Sequence, residues 1–249
     1  MSEKRDNSRF LKGLNELGIE LDSKKLDAFE TYYDMLVEKN KVMNLTAITE
    51  YEDVIIKHFL DSLSIVKVPE IRKLLVDSTD VVTLYDVGTG AGFPGIPLKI
   101  SFPHLRVVLM DSLNKRILFL QDVIHALDLQ GIDALHVRCE EAGRKPEFRE
   151  QCDICVSRAV AKLNSLSELC IPFVKPGGFF VPYKSGDIEE ELACGKNAIN
   201  KLGGSIADQT RFMLPLSDNE RTLILIKKTT STKPAYPRAG GKVFKSPLN

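Results

Sequence analysis

The residues best suited to chemistry lie in one run, Asp86-Val87-Gly88-Thr89-Gly90-Ala91-Gly92-Phe93-Pro94-Gly95, between a β-rich stretch at 81–87 and a helix. Glycines at such a junction let the backbone turn tightly and approach a ligand with no Cβ in the way. In doubly wound α/β folds this is where ligands bind, beside the carboxyl ends of the strands. A plain strand-to-helix turn is the competing reading; three glycines in five residues, with an acid two residues before them, disfavour it. The ligand is a dinucleotide or S-adenosyl-L-methionine. The dinucleotide fingerprint is G-x-G-x-x-G, whereas here the spacing is G-x-G-x-G and Phe93 holds the sixth position. Pro94 and Pro97 remove two amide donors near the helix start, donors that a pyrophosphate needs. A sulfonium ligand carries no phosphate, so S-adenosyl-L-methionine fits better, through Gly88, Gly90 and their neighbours.

Further chemistry follows at successive strand ends. Asp111 closes a second β-rich run and stands 23 residues after Gly88, near the ~20-residue offset of an acid that accepts from ribose hydroxyls. It can equally cap the next helix. Cys139 and Glu140 follow a third run, where an acid can accept from an adenine amino group beside a small apolar neighbour. Arg158 follows a fourth, at the rim of the same site. Its planar fork suits a phosphate or the O6 and N7 edge of guanine; a salt bridge or a helix-start role is equally compatible. Lys184, after a fifth run, is a similar rim candidate. Lys115 and Arg116 open a helix, where positive charge opposes the dipole, which points to a use such as an RNA phosphate.

These candidates need a scaffold. Residues 1–75 read as helical. Leu21, Leu26, Phe29, Tyr33, Leu36 and Val37 form one apolar stripe, with Asp22 or Ser23 as cap and the polar run 38–41 as its end. A loop at 44–49 and a second helix, with Val54, His58 and Phe59 on its apolar side, lead to Pro69, expected to close the region. β-rich runs at 81–87, 105–110, 134–138, 153–157, 179–183 and 223–226 then alternate with helical stretches at 113–129, 159–174 and 188–202. Such alternation means βαβ units and a mostly parallel sheet with helices on both faces. The expected organisation is a helical extension at 1–75, a Rossmann-like α/β domain at 76–229 and a tail at 230–249.

The 249 residues include 34 basic and 34 acidic side chains, so the whole chain is not a basic nucleic-acid binder. The charge is segregated, however. Residues 221–249 hold seven basic side chains and no acid, and the Pro- and Gly-rich stretch after 229 is expected to lack regular structure until it meets a partner. Its phosphate contacts would add affinity without reading sequence. No apolar leader and no membrane-length apolar stretch occur, so the expected compartment is the reducing cytoplasm, away from membranes. Cys152 and Cys155 have a redox or zinc spacing, but an odd separation along a strand should send them to opposite faces. The four His and five Cys make no convincing metal set. His58, Asp61 and Ser62 match a hydrolase triad by type, yet on one helix face their side chains run parallel.

Asn44-Leu45-Thr46, His58-Phe59-Leu60-Asp61-Ser62, the glycine run extended through Ile96-Pro97, Asp111-Ser112-Leu113-Asn114-Lys115-Arg116, Ser157-Arg158-Ala159 and Tyr236-Pro237-Arg238 occur in this order. Together they resemble the bacterial 16S ribosomal RNA guanine-N7 methyltransferase G family, once called glucose-inhibited division protein B, and the tail looks most like its Gram-positive branch. The resemblance implies a class I S-adenosylmethionine-dependent methyltransferase fold and methyl transfer to N7 of one guanine in 16S rRNA, free or within the small ribosomal subunit. It also implies cofactor contacts at Gly88, Phe93, Cys139, Glu140 and Arg158. Position 139 departs from the alanine or valine of the family pattern, which puts any role of its side chain in doubt. Guanine N7 has a free lone pair and no proton, so the reaction needs neither a general base nor a metal; the protein's task is alignment. Three rivals remain. A small-molecule methyltransferase would not need the basic tail, and a nicotinamide-dependent dehydrogenase conflicts with the glycine spacing. A non-catalytic RNA-binding factor on the same fold would bind cofactor without transferring methyl.

Overall fold

The computed structural model describes residues 5–158, 161–186, 188–239 and 241–248. Four stretches of helix precede the sheet: α1 (Ser8–Leu17), α2 (Ser23–Met43), a composite helix, and α5 (Pro69–Leu75). Asp22 caps α2 by accepting from the Lys25 amide at 2.8 Å. The polar run 38–41 does not stop this helix. It continues two residues further and ends at Asn44, whose φ of 48° puts it in the left-handed cap conformation. The composite helix joins α3 (Tyr51–Val54), a π-helical turn at Ile55–Leu60, α4 (Asp61–Leu63) and a 3₁₀ turn at Ser64–Lys67. Pro69 does not close the region. It is the first residue of α5, where its missing N–H removes no helical bond.

Seven strands follow: β1 (Val82–Val87), β2 (Leu105–Asp111), β3 (Ile132–His136), β4 (Cys152–Arg158), β5 (Val174–Ser185), β6 (Gly204–Met213) and β7 (Glu220–Lys228). They make one sheet in the order β3-β2-β1-β4-β5-β7-β6. The first five are parallel; β7 runs antiparallel to β5 and to β6. The helices between strands are α6 (Gly95–Ser101), α7 (Asn114–Ala126), α8 (Cys139–Ala142), α9 (Leu163–Cys170, continued by a 3₁₀ turn to Phe173) and α10 (Glu189–Lys201). The third strand starts two residues before its expected place, and the helix expected at 159–174 is shorter, with residues 159 and 160 outside those described. Strand β6 has no counterpart among the β-rich runs of the sequence. It is a polar edge strand with little apolar alternation, and its register shifts between Ile206 and Asp208.

Alternation along the strands divides the core between two faces. Leu84, Val107, Leu109, Ile154, Val156, Val181, Leu223 and Leu225 join α1, α2, the composite helix and α5 in one cluster. Tyr85, Val87, Met110, Cys155, Phe180, Ile224 and Ile226 face α9 and α10 in the other. Cys152 and Cys155 do not lie on opposite faces. The register of β4 against β5 shifts between Cys152 and Ile154, and both thiols enter the second cluster, fully buried. Burial holds them well above the ordinary thiol range.

The tail is not loose. Arg238 makes a forked contact with Glu168, at 2.7–3.1 Å, and Glu168 has no solvent exposure. Arg149 donates to the Thr232 and Tyr236 carbonyls and Arg144 to that of Pro237. Val243 and Leu248 are buried in the second cluster, and α11 (Lys242–Lys245) is held by Ser165 Oγ donating to the Val243 carbonyl at 2.9 Å. Of the basic side chains after 229, Arg238 is matched by a carboxylate distant in sequence, and the tail's carbonyls by arginines of the α/β domain. Arg221, counted with the tail by charge, lies in β7 and pairs with Asp61 at 2.9 Å.

One glycine is fixed by packing. A Cβ on Gly92, whose φ is 104°, would lie 2.7 Å from Ile96 Cδ1 and from Tyr32 Oη, and 2.9 Å from Leu120 Cδ2. Gly92→Ala is therefore expected to destabilise the protein by roughly 2 kcal/mol or more, through left-handed strain together with overpacking. A thermal melt followed by circular dichroism checks this; an unchanged midpoint would show that the loop yields freely.

Candidate active site

The glycine loop leaves β1 under tight control. The Gly88 and Thr89 amides both donate to the Met110 carbonyl, and Gly88 and Gly90 adopt φ of 73° and 62°. Asp86 lies beneath, with no exposure, and its Oδ2 accepts from Thr89 Oγ1 at 2.7 Å and from the Gly95 amide at 2.9 Å. Its Oδ1 is buried without a hydrogen-bond partner. Desolvation, only partly offset by these donors, raises its pKa to about 6.

A cavity of about 480 Å³ opens above the loop. Gly88, Gly90, Phe93, Asp111, Arg116, Cys139, Glu140 and Arg158 all line it. Four strand ends and the segments beyond them thus bring these residues together, while Lys115 and Lys184 lie outside the lining. Asp111 accepts from the Gly90 and Leu113 amides, at 3.1 and 2.9 Å, and from Arg116 Nη1 at 3.2 Å. It ties the loop to the start of α7 by a turn contact, while the cap position itself falls on Leu113. This ion pair offsets the positive charge at the helix start. Cys139 and Glu140 open α8; burial pushes the Cys139 thiol up to about 12, so it stays protonated.

Arg158 is where sequence reasoning stops short. Its Nη1 donates to Asp61 Oδ2 at 2.8 Å and to the Lys57 carbonyl at 3.1 Å. Its guanidinium also stands 5.1 Å over the Phe93 ring. Asp61 is shared with Arg221, so one buried carboxylate holds two arginines. Arg158 Nη2 lies 3.2 Å from His58 Nδ1. The Lys57 carbonyl lies 3.1 Å from the same nitrogen, and Nε2 faces Thr46 Oγ1 at 2.9 Å. The His58 ring stacks on Phe93 at 4.4 Å between centroids. Burial, reinforced by Arg158, pushes its pKa down to about 3. His58, Asp61 and Ser62 form no relay: Asp61 faces the arginines, and Ser62 Oγ donates back to the His58 carbonyl. The π turn places His58 on Phe93. The residue types stand out in the sequence, but pairings across 97 and 160 positions carry no local signal.

Lys184 does not reach this cavity. It lines a second one, of about 630 Å³, with Lys57, Lys162, Tyr183 and Arg221. Its ammonium donates to Glu191 at 2.5 Å and to the Ala161 carbonyl at 2.9 Å. His58 and Arg158 border both cavities.

The two buried groups have opposite linkage. Below pH 6.5 the unfolded chain protonates His58 and the folded chain does not until about 3, so acidification removes stability across that window. Asp86, with a folded pKa of about 6 against 3.8 unfolded, gains stability as pH falls from 6 to about 4. In the parent these slopes oppose each other. An Asp86→Asn variant should lose up to about 1.4 kcal/mol per pH unit more than the parent between pH 6 and 4. Chemical denaturation at pH 6, 5 and 4 reads the difference; parallel profiles would contradict it.

The first cavity fits S-adenosyl-L-methionine. Its volume lies in the range of small-molecule sites. Gly90 has open space where a Cβ would stand. Asp111 and Glu140 put two carboxylates on its wall, acceptors of the kind that hydroxyl and amino groups require.

A sequence profile described as GidB, rRNA small subunit methyltransferase G, matches residues 25–223. The chain is 58% identical to the ribosomal RNA small subunit methyltransferase G of Lachnoclostridium phytofermentans, over 98% of each chain. It is 47% identical to that of Bacillus subtilis, over 96% of this chain and 97% of the other. Among solved structures, a point mutant of the 16S rRNA (adenine(1408)-N(1))-methyltransferase from Catenulisporales acidiphilia superposes with a TM-score of 0.52 at 15% identity, covering 66% of this chain and 92% of that one. This likeness is one of fold, the class I S-adenosylmethionine-dependent methyltransferase fold. With a profile spanning most of its length and relatives near half identity, the chain belongs to the rRNA small subunit methyltransferase G family.

Proposed function

We propose that this protein transfers a methyl group from S-adenosyl-L-methionine to N7 of one guanine in 16S rRNA, acting in the cytoplasm on the RNA or on the small subunit that contains it. The observation that carries this reading is the pair of adjoining cavities that meet at His58 and Arg158: one is suited to the donor, and the other, bordered by Lys57, Lys162, Lys184 and Arg221, to an anionic acceptor.

S-adenosyl-L-methionine supplies, when bound, a methyl group on a sulfonium leaving group. The work of the chain is to hold the acceptor nitrogen in line with that methyl and to exclude water. Because N7 carries no proton, no side chain must remove one, and the absence of a relay at His58, Asp61 and Ser62 suits the chemistry. Charge control matters more. Asp61 offsets one of the two positive charges of Arg158 and Arg221, and His58 stays neutral at physiological pH, so the four groups together carry one net positive charge. Arg158, held by Asp61 and packed over Phe93, would orient the guanine or its phosphate. Gly88, Gly90, Phe93, Asp111, Cys139 and Glu140 would hold the donor, and Arg116 would fix Asp111 within that set.

The test is incubation with labelled S-adenosyl-L-methionine and either 16S rRNA or small subunits from cells lacking the modification. One alkali-labile N7-methylguanine position is expected, and comparing the two substrates tells which assembly state is used. Cofactor binding without methyl incorporation into either substrate would favour the non-catalytic RNA-binding reading instead.

A further inference from the structure

The profile that defines the family stops at residue 223, so the strapped tail lies outside it. Yet the tail returns to the cofactor cavity. Phe244, on α11, lines that cavity together with Cys139, Glu140 and Leu169. It is 53% exposed, although its neighbour Val243 is buried in the second core cluster with Leu169 and Ala142. Glu140, in the first turn of α8, is another lining residue and offers an acceptor to an amino-substituted ring.

We infer that Phe244 is a cofactor-binding residue contributed by the C-terminal strap, whose ring covers the adenine of S-adenosyl-L-methionine. The inference rests on the reading of this cavity as the cofactor site. An exposed aromatic ring at the mouth of a cavity gains contact when a flat heteroaromatic base stacks on it. The strap fixes the ring in place before the ligand arrives: Arg238 locks to Glu168, Ser165 holds the Val243 carbonyl, and the helix carrying Phe244 has little freedom left to lose. The basic tail is thereby a wall of the donor site.

The chain contains no tryptophan, which gives a direct test. By calorimetry, Phe244→Ala is expected to bind S-adenosylhomocysteine about tenfold more weakly than the parent, with its melting midpoint kept because the ring is largely solvated. In turnover the loss should appear as a raised KM for S-adenosyl-L-methionine with kcat little changed, the mark of uniform binding. Phe244→Trp installs a single tryptophan whose emission should change on titration with S-adenosylhomocysteine, saturating near the parent Kd. Unchanged affinity in Phe244→Ala, or tryptophan emission indifferent to saturating ligand, overturns the inference while leaving the cofactor site itself intact. Failure of the parent protein to bind S-adenosylhomocysteine would instead overturn the underlying reading of the cavity.

Discussion

Arg158→Ala is expected to lower single-turnover methyl transfer roughly 10²–10³-fold, the range found when one fixed donor is removed from a reaction centre. Among the described residues, Arg158 is the only arginine bordering both cavities. Every contact it makes fixes its direction: Asp61 and the Lys57 carbonyl on one side, the Phe93 face beneath. Calorimetry on the same variant separates its roles. If the guanidinium orients the acceptor, S-adenosylhomocysteine affinity stays within a few fold of the parent while the rate collapses. A parallel fall in both would make it a cofactor residue. Arg158→Lys should not restore the rate, because an ammonium cannot hold Asp61 and the Lys57 carbonyl with one planar group. A rate within about threefold of the parent in Arg158→Ala, well inside the loss expected for a fixed donor, would remove this residue from the reaction altogether.

Truncation after Thr230 should be the most damaging change to stability. It removes Thr232 from the buried ammonium of Lys228 and Arg238 from the buried carboxylate of Glu168, and it uncovers the sites of Val243 and Leu248. Leaving one buried charge unpaired costs about 3–5 kcal/mol, and in a chain of this size that lowers the melting midpoint by about 6–20 °C. Arg238→Ala should reproduce much of the loss. Replacing both partners, Arg238→Met with Glu168→Leu, should recover part of it, since two apolar groups leave no stranded charge. A truncated protein that melts with the parent would show the strap to be superficial. Sequence composition points to an opposite result, a disposable arm whose removal affects RNA binding alone, and a melting curve separates the two.

The contrast marks what a single sequence reveals. The glycine loop, Asp111 and the strand ends are local signals, set by residues within a few positions of one another, and they lead to one cavity. The parallel strands are legible because burial on both faces makes them near-continuous apolar runs. Strand β6 is not, since an edge strand can remain polar and still complete its ladder against β7. The tail misleads for a related reason. Charge-based inference assumes solvent as the partner, whereas Arg238 meets Glu168 70 residues away. The arginine pair on Asp61 is hidden in the same way, and with it the join between the two cavities.

The N-terminal helices have a consequence for synthesis. Phe10, Phe29, Tyr32 and Phe59 pack as one aromatic group that reaches Phe93, and the Tyr32 hydroxyl donates to the Ala91 carbonyl at 2.5 Å. Their cluster is closed by side chains as late as Leu223 and Leu225. These helices leave the ribosome before the strands, yet their apolar stripe has no complete surface to rest on until those strands have emerged. At about 5–20 residues per second, that is an interval of about ten seconds or more in which a large aromatic face stays open to solvent. The order of translation therefore places the greatest demand for chaperone shelter on this N-terminal aromatic face.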